Sequence, residues 1–552
     1  MNTFIKQGWF ADFEAGNFYQ GRLTVESGIV KEIWEVEGSR SAWPAPSTEN
    51  PLILPGLVDA HIHIESSMVL PSRFSQKAVE FGTVATVSDP HEIANVLGNE
   101  GIRFMAADAA RGFPVVRFTA PSCVPATPLE ESGAVLEAAD LQVLFEEDLV
   151  VALGEVMNFP GVIGKDPGIL AKLNLAVRYG MPVDGHAPGL SGTALQKYVD
   201  AGISTDHECF SIAEAREKIA LGMKILIREG SAARNFEALW PLIDEFPDRV
   251  MLCTDDFHPD DLELGHMDRL IRRGLKKGLD FFNLYRAATF NPMEHYRLKT
   301  GRLRTGDPAD FIIVKGLDDF TITATYLGGY PVFGDGALPV PLQGVTPINH
   351  FNTGKITPED LLVRGSSGRY RVILAMDGEL ITQAESAELA EIQGFIYPDA
   401  KRDILKIAVV NRYRKAPVAI GFITGFGLKE GAMASSIAHD SHNIVAVGTD
   451  ERTLAEAINL VIEHQGGISV WSSGSSECLP LPVAGLMSTL SVSETAEKYR
   501  CLTQRAKDLG SELKAPFMTL SFMSLLVIPH LKLGDRGLFD GDNFTFVPLR
   551  LE

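Results

Sequence analysis

Pro55-Gly56-Leu57-Val58-Asp59-Ala60-His61-Ile62-His63-Ile64-Glu65-Ser66-Ser67-Met68 is the stretch on which the reading of the fold turns. The apolar run Leu52-Ile53-Leu54, continued by Leu57-Val58, reads as a buried strand punctuated by Pro55-Gly56. His61 and His63 stand two positions apart at its end. Side chains two apart on a strand share a face, so both imidazoles can address one metal ion. Alone, a His-x-His fits two polar core histidines as well as it fits a metal site. Its companions downstream decide between them.

From 51 to 304 short apolar strands alternate with helical stretches, as a parallel sheet with crossover helices requires. Candidate strand ends follow at Val84–Val87, Val115–Phe118, Val150–Leu153, Pro182-Val183, Ile203–Thr205, Lys224–Ile227 and Val250–Cys253. With the strand before His61 they make eight, the number of a closed (β/α)8 barrel of about 250 residues, whose chemistry lies at the C-terminal strand ends. An open doubly wound sheet is the competing fold, but no Gly-x-Gly-x-x-Gly follows the first strand.

Residues 1–50 and 305–349 alternate apolar and polar positions between turn residues, and together they predict a small β-sandwich built from both flanks of the barrel. After 350 the texture changes to mixed α/β, with Tyr370–Met376 as a strand and Thr453–His464 as a helix. The expected domains are therefore 1–50 plus 305–349, the catalytic barrel 51–304, and a C-terminal α/β domain 350–552.

A chain of 552 residues exceeds what one core supports, and 45% hydrophobic with 22% charged residues is ordinary globular composition. The net charge of −21 speaks against nucleic acid or an anionic membrane as partner and for simple solubility. Cys123, Cys209, Cys253, Cys478 and Cys501 are odd in number and contain no Cys-x-x-Cys, which indicates neither a disulfide framework nor a zinc ribbon. With no signal-like N-terminus and no apolar run of the ~18 residues a spanning helix needs, a cytoplasmic protein is expected.

Residues with metal-binding chemistry follow one strand end after another: His61 and His63, then Glu155, His186, His207 and Asp255. Each singly has a bland reading as a hydrogen-bonded polar residue. Six at matching strand ends are harder to dismiss. Four imidazoles and two carboxylates suit two first-row divalent ions, with Glu155 able to give one oxygen to each. Such a pair generates hydroxide at neutral pH, and Asp255 beside it is placed to carry a proton to a leaving group. Hydrolysis or hydrolytic deamination is the reaction class implied.

The stretch 55–63 with the later Glu, His, His and Asp resembles the amidohydrolase superfamily, in the branch that bridges its metals with Glu. More narrowly, His-Ile-His-Ile-Glu-Ser-Ser-Met (61–68), Asp-Pro-His-Glu-Ile-Ala-Asn-Val (89–96), Ser-Cys-Val-Pro-Ala (122–126), Asp-Gly-His-Ala-Pro-Gly (184–189), the motif at 227–235 and Cys-Thr-Asp-Asp (253–256) are similar to the bacterial adenine deaminase family. Similarity continues through 466–467, 480–488 and 537–541, and so covers nearly the whole chain.

This resemblance implies conversion of adenine to hypoxanthine and ammonia in purine salvage, by two divalent ions, manganese or iron, with zinc compatible. Its metal ligands would be His61, His63, Glu155, His186, His207 and Asp255, with Glu155, His207 and Asp255 catalytic and Asp255 the proton shuttle. Asp89, His91 and Glu92 after the second strand have three open readings: they orient ligands or substrate, hold a further ion, or cap a helix. Arg228, Glu229 and Ser231 are candidate contacts to the base edges, whose donors and acceptors a selective pocket has to satisfy; surface ion pairing is the alternative. In the stretch 438–444, His439 and Asp440 are candidates for a loop that closes over the barrel mouth and encloses the base, against a loop network that only holds its own domain together.

Deaminases of the cytidine type carry Pro-Cys-x-x-Cys, which is absent here. The competing functions are another binuclear amidohydrolase acting on a cyclic amide or N-acyl group, and a catalytically silent barrel used as scaffold. Against the scaffold stands a complete ligand set. A symmetric homo-oligomer, a dimer first of all, is the default expectation for a soluble enzyme.

Overall fold

A computed structural model describes residues 3–231 and 233–551. Met1 and Asn2 of the N-terminal stretch, Ala232 of the 227–235 motif and Glu552 lie outside the described residues. Strands β1 (Thr3–Asp12), β2 (Asn17–Glu26) and β3 (Ile29–Glu35) form an antiparallel meander, and β4 (Leu52–Pro55) lies parallel to β1. The chain then leaves this sheet at Gly56 and enters a second one. A Cβ at Gly56 would stand 2.2 Å from Val84 Cγ1, so only glycine lets the two sheets meet here. The apolar run 52–58, which reads as one strand in sequence, is thus two strands in two sheets.

The second sheet begins with β5 (Leu57–His63), β6 (Thr83–Ser88), β7 (Val116–Ala120), β8 (Val150–Val156) and β9 (Val183–Gly185), all parallel and hydrogen-bonded in chain order. A further parallel set holds β10 (Thr205–Asp206), β11 (Lys224–Arg228) and β12 (Val250–Cys253). The Ser204 N–H donates to Val183 O at 2.9 Å, joining the sets on one side. On the other, β12 runs on into β13 (Asp255–Asp256), which pairs with β5 at Asp255↔Ile62. The result is a (β/α)8-like barrel.

Val58, Ala60, Ala85, Val87, Ala152, Leu226, Met251 and Cys253 form one buried cluster, although they come from strands on different sides of the ring. Only the barrel interior lets them meet. Val58 and Ala60 have the opposite parity to His61 and His63. A bulge reconciles them: between the pairs Asp59↔Thr86 and Ile62↔Ser88, β5 carries one residue more than β6. The interior face therefore passes from apolar residues below to histidines above.

Strands β14 (Phe311–Val314), β15 (Ile322–Leu327) and β16 (Tyr330–Phe333) return to the first sheet, where β14 pairs antiparallel with β4. Both flanks of the barrel combine in a single seven-stranded sheet, which folds over so that Leu23 and Val25 of β2 share a buried cluster with Phe311 of β14 and Ala324 of β15. The C-terminal part holds an eight-stranded sheet that includes Leu405–Val410, Ala432–Ser435 and Ile444–Gly448, covered by the helix Glu451–Glu463. One apolar core runs from Ile64, Val69 and Val124 of the barrel to Met433, Ile437 and Met518, so this sheet is packed directly on the barrel mouth.

Candidate metal centre

The six predicted ligands converge at the C-terminal end of the barrel. Glu155 stands in the middle: Oε1 is 3.3 Å from His63 Nε2, while Oε2 is 2.7 Å from His186 Nδ1 and 3.2 Å from His207 Nε2. Asp255 Oδ1 lies 3.2 Å from His63 Nε2 and 3.4 Å from His61 Nε2. All are buried except His186, which is partly open. Three groups of these donors, His61/His207/Asp255, His61/His63/Glu155 and Glu155/His186/His207, bring their ligand atoms within 4.8 Å of one another.

The local fold explains how the ligands are held. The His63 Nδ1–H donates to Asp89 O at 3.0 Å, and because a carbonyl can only accept, the Nε2 lone pair is left pointing inward. Asp89 Oδ2 accepts the backbone N–H of Glu155 at 2.9 Å, and a Cβ on Gly154 would come 2.1 Å from that same oxygen. Register shifts along β8 aim Glu155 inward beside Ala152. Asp255 adopts φ 59°, a left-handed conformation that Asp tolerates better than most residues.

Arg228 supports Asp255 from behind. Its guanidinium grips Glu208 with two nitrogens and donates to Asp255 Oδ2 at 2.5 Å. Burial works to raise the Asp255 carboxyl, but Arg228, His61 and His63 hold it well below the usual carboxylate range. Burial acts likewise on Glu155, and His186 and His207 outweigh it, so that carboxyl too stays ionised.

A second buried cluster adjoins the first. His91 Nδ1 is 3.3 Å from Glu155 Oε1, and His91, Glu92 and Asp440 also bring donor atoms within 4.8 Å of one another. Glu92 is clasped by the C-terminal part: Oε1 lies 2.7 Å from His439 Nδ1, and Oε2 pairs with His442 Nε2. The loop between Ala432–Ser435 and Ile444–Gly448 therefore sits on the barrel mouth. Burial, reinforced by Glu92, pushes the Asp440 carboxyl up to about 6.

Not every predicted residue is gathered here. Glu229 Oε1 pairs with Arg273 on the helix Met267–Lys277, while its Oε2 is buried without a hydrogen-bond partner. The Ser231 Oγ–H donates to Asp261 Oδ2 at 2.7 Å while its oxygen accepts the His258 N–H, so the hydroxyl is engaged by residues 258–261. Glu208 and Glu65 are buried at the site without having been singled out in the sequence. Glu208 directly follows His207, and Glu65 continues the alternation His61, His63, so local spacing held a signal for both. Burial and the nearby Glu92 push the Glu65 carboxyl to about 7.

The donor set suits divalent cations. His61 Nε2, His91 Nδ1, Asp89 Oδ1 and Asp440 Oδ2 are buried polar atoms with no hydrogen-bond partner, a costly arrangement unless something else satisfies them. Imidazoles and carboxylates in this mixture are the ligands of first-row divalent ions.

Comparison with known proteins agrees with this chemistry. Residues 52–332 match the amidohydrolase family, and residues 379–545 match the adenine deaminase C-terminal domain. An adenine deaminase of Methanosarcina mazei is 54% identical over 544 residues, covering 96% of each chain. One of Salinibacter ruber is 49% identical over 99% of this chain and 98% of its own, and one of Borreliella burgdorferi is 44% identical over 99% and 100%. This chain belongs to the amidohydrolase family and, within it, to the adenine deaminases.

Proposed function

We propose that the protein hydrolyses the C6–N6 bond of adenine, releasing hypoxanthine and ammonia in purine salvage. The observation that carries this is the full-length match, at 44% to 54% identity, to relatives named adenine deaminase. Those names lend no support to a cyclic amide or N-acyl substrate.

His61, His63, Glu155, His186, His207 and Asp255 would hold the divalent ions, which when bound would supply a nucleophile at pH 7 by lowering the pKa of water. Asp255 takes a proton from the attacking water and delivers it to N6, so that oxygen adds to C6, the C6–N6 bond breaks and ammonia leaves, while the second water proton is transferred from oxygen to N1 of the product. Arg228 keeps Asp255 ionised and aimed for that task. Asp89 and His91 brace Glu155, while Glu92, His439 and Asp440 enclose the base and keep bulk water out. His207 completes the wall on which C6 is presented.

Manganese or iron is the metal pair we infer, with zinc accepted by the same donors. A cytoplasmic homodimer is the setting we infer, on the symmetry preference of soluble enzymes and five cysteines without disulfides. Among the described residues no helix is long and apolar enough to cross a membrane.

The test is ammonia release from adenine by protein grown with added manganese and with iron chelated, metal content being measured on the same samples. Activity should track about two metals per chain. Full metal occupancy without ammonia release discards adenine as the substrate.

A further inference from the structure

Beyond the six candidate ligands, the helix after β6 brings His91 and Glu92 to the barrel mouth, and the loop after Ser435 lays Asp440 against them. His91, Glu92 and Asp440 are 5%, 2% and 4% exposed, and each offers a donor atom within 4.8 Å of the other two. Among the described residues no lysine or arginine pairs with either carboxylate, whose ionic partners are histidines alone. Asp440 Oδ2 is buried without any hydrogen-bond partner. Two carboxylates so close and so deeply buried repel each other, and a cation held between them removes that cost.

The imidazole is set for such an ion. His91 Nδ1 lies 3.3 Å from Glu155 Oε1 and 3.8 Å from Asp89 Oδ1, and these carboxylates draw the ring proton to that side. The Nε2 lone pair then points the other way, 3.3 Å from Glu92 Oε1. Ligand atoms held at about 2.1 Å on one divalent ion stand about 3 to 3.5 Å apart, so the pair has the spacing of neighbouring ligands. Glu92 also has the outer support that ligating carboxylates carry: His439 Nδ1 is 2.7 Å from Oε1 and His442 Nε2 pairs with Oε2, leaving each oxygen a second lone pair. His442 donates there, because its Nδ1 accepts the Ala438 N–H at 3.3 Å. We propose that His91, Glu92 and Asp440 bind a third divalent ion, which fastens the C-terminal part to the barrel beside the candidate metal centre. One imidazole with two carboxylates suits manganese or zinc. This ion is additional to the pair on which activity depends, and its site does not require adenine as the substrate.

The experiment counts manganese on the full-length protein. Wild type and Asp440→Asn are stripped with a chelator, saturated with Mn2+ and dialysed to remove loosely held metal, and the retained ions are measured by elemental analysis. Asparagine keeps the shape of Asp440 and removes its charge. Wild type should retain about three ions per chain and Asp440→Asn one fewer. Neither count involves the substrate, so a wild type that releases no ammonia from adenine leaves this test standing. Equal counts in the two proteins overturn the proposal. A wild type that saturates at two ions overturns it as well, whether or not Asp440→Asn folds.

Discussion

His439 Nδ1 stands 2.7 Å from Glu92 Oε1 across 347 residues of chain. Glu92 belongs to the helix His91–Ala109 that follows β6, and His439 to the C-terminal part, so this contact is where the appended sheet meets the chemistry of the barrel. Burial tends to neutralise both groups, yet Glu92 raises His439 to about 9 and the histidines around Glu92 hold that carboxyl well below its usual range. The pair is therefore ionic. Burial lowers His442, on the other oxygen, to about 4.

His439→Ala removes the charged half of this clasp and leaves His442 to hold Glu92. We expect kcat/KM on adenine to fall by about 10- to 100-fold with metal content unchanged. Unaltered kinetics would show that the loop closes the fold without serving the site.

Gly154→Ala places a methyl 2.1 Å from Asp89 Oδ2 and 2.7 Å from Thr119 Oγ1. Asp89 has to retreat, and both the Glu155 N–H and the backbone carbonyl that orients His63 move with it. Metal affinity should drop by about 10- to 100-fold, read by competition with a chelator. Wild-type affinity in a folded Gly154→Ala protein contradicts the bracing role of Asp89.

Arg228→Gln leaves Glu208 without its bidentate partner and Asp255 without the cation behind it. Breaking a buried pair of this kind costs about 3–5 kcal/mol, so a clear fall in Tm is expected together with a loss of kcat. Arg228→Lys should recover little, because a single ammonium cannot serve both Glu208 oxygens and Asp255 at once. Recovery by lysine would assign Arg228 a purely electrostatic part.

Lys532 is buried among carbonyls, donating to Leu380 O at 2.7 Å and Phe522 O at 3.0 Å, and burial lowers it from 10.5 to about 7. Between those two values the unfolded chain holds the proton and the folded protein does not. Stability from this group therefore rises with pH from about 7 to about 10.5, because the unfolded state binds more protons there. The gain in Tm between pH 7 and pH 9.5 should be smaller in Lys532→Met than in wild type. Equal gains would mean that Lys532 titrates normally when folded.

What the sequence determined by itself was local and repetitive. The His61-x-His63 pair and the polar residues after successive strands were legible because alternation and chain order put them at equivalent places on a parallel barrel, and the six candidate ligands were picked out by that regularity. Tertiary structure decided the rest. The split of residues 52–58 between two sheets depends on Val84 packing over Gly56, and the inward turn of His61 depends on a bulge whose partner strand begins 26 positions after Leu57, at Thr83. The pairing of Glu229 Oε1 with Arg273, 44 positions along the chain, was not visible in the local sequence. Glu92 acquired its histidines only when the loop after Ser435 folded onto the barrel mouth. Pairings of this kind are set by contacts remote in sequence, which no local periodicity records.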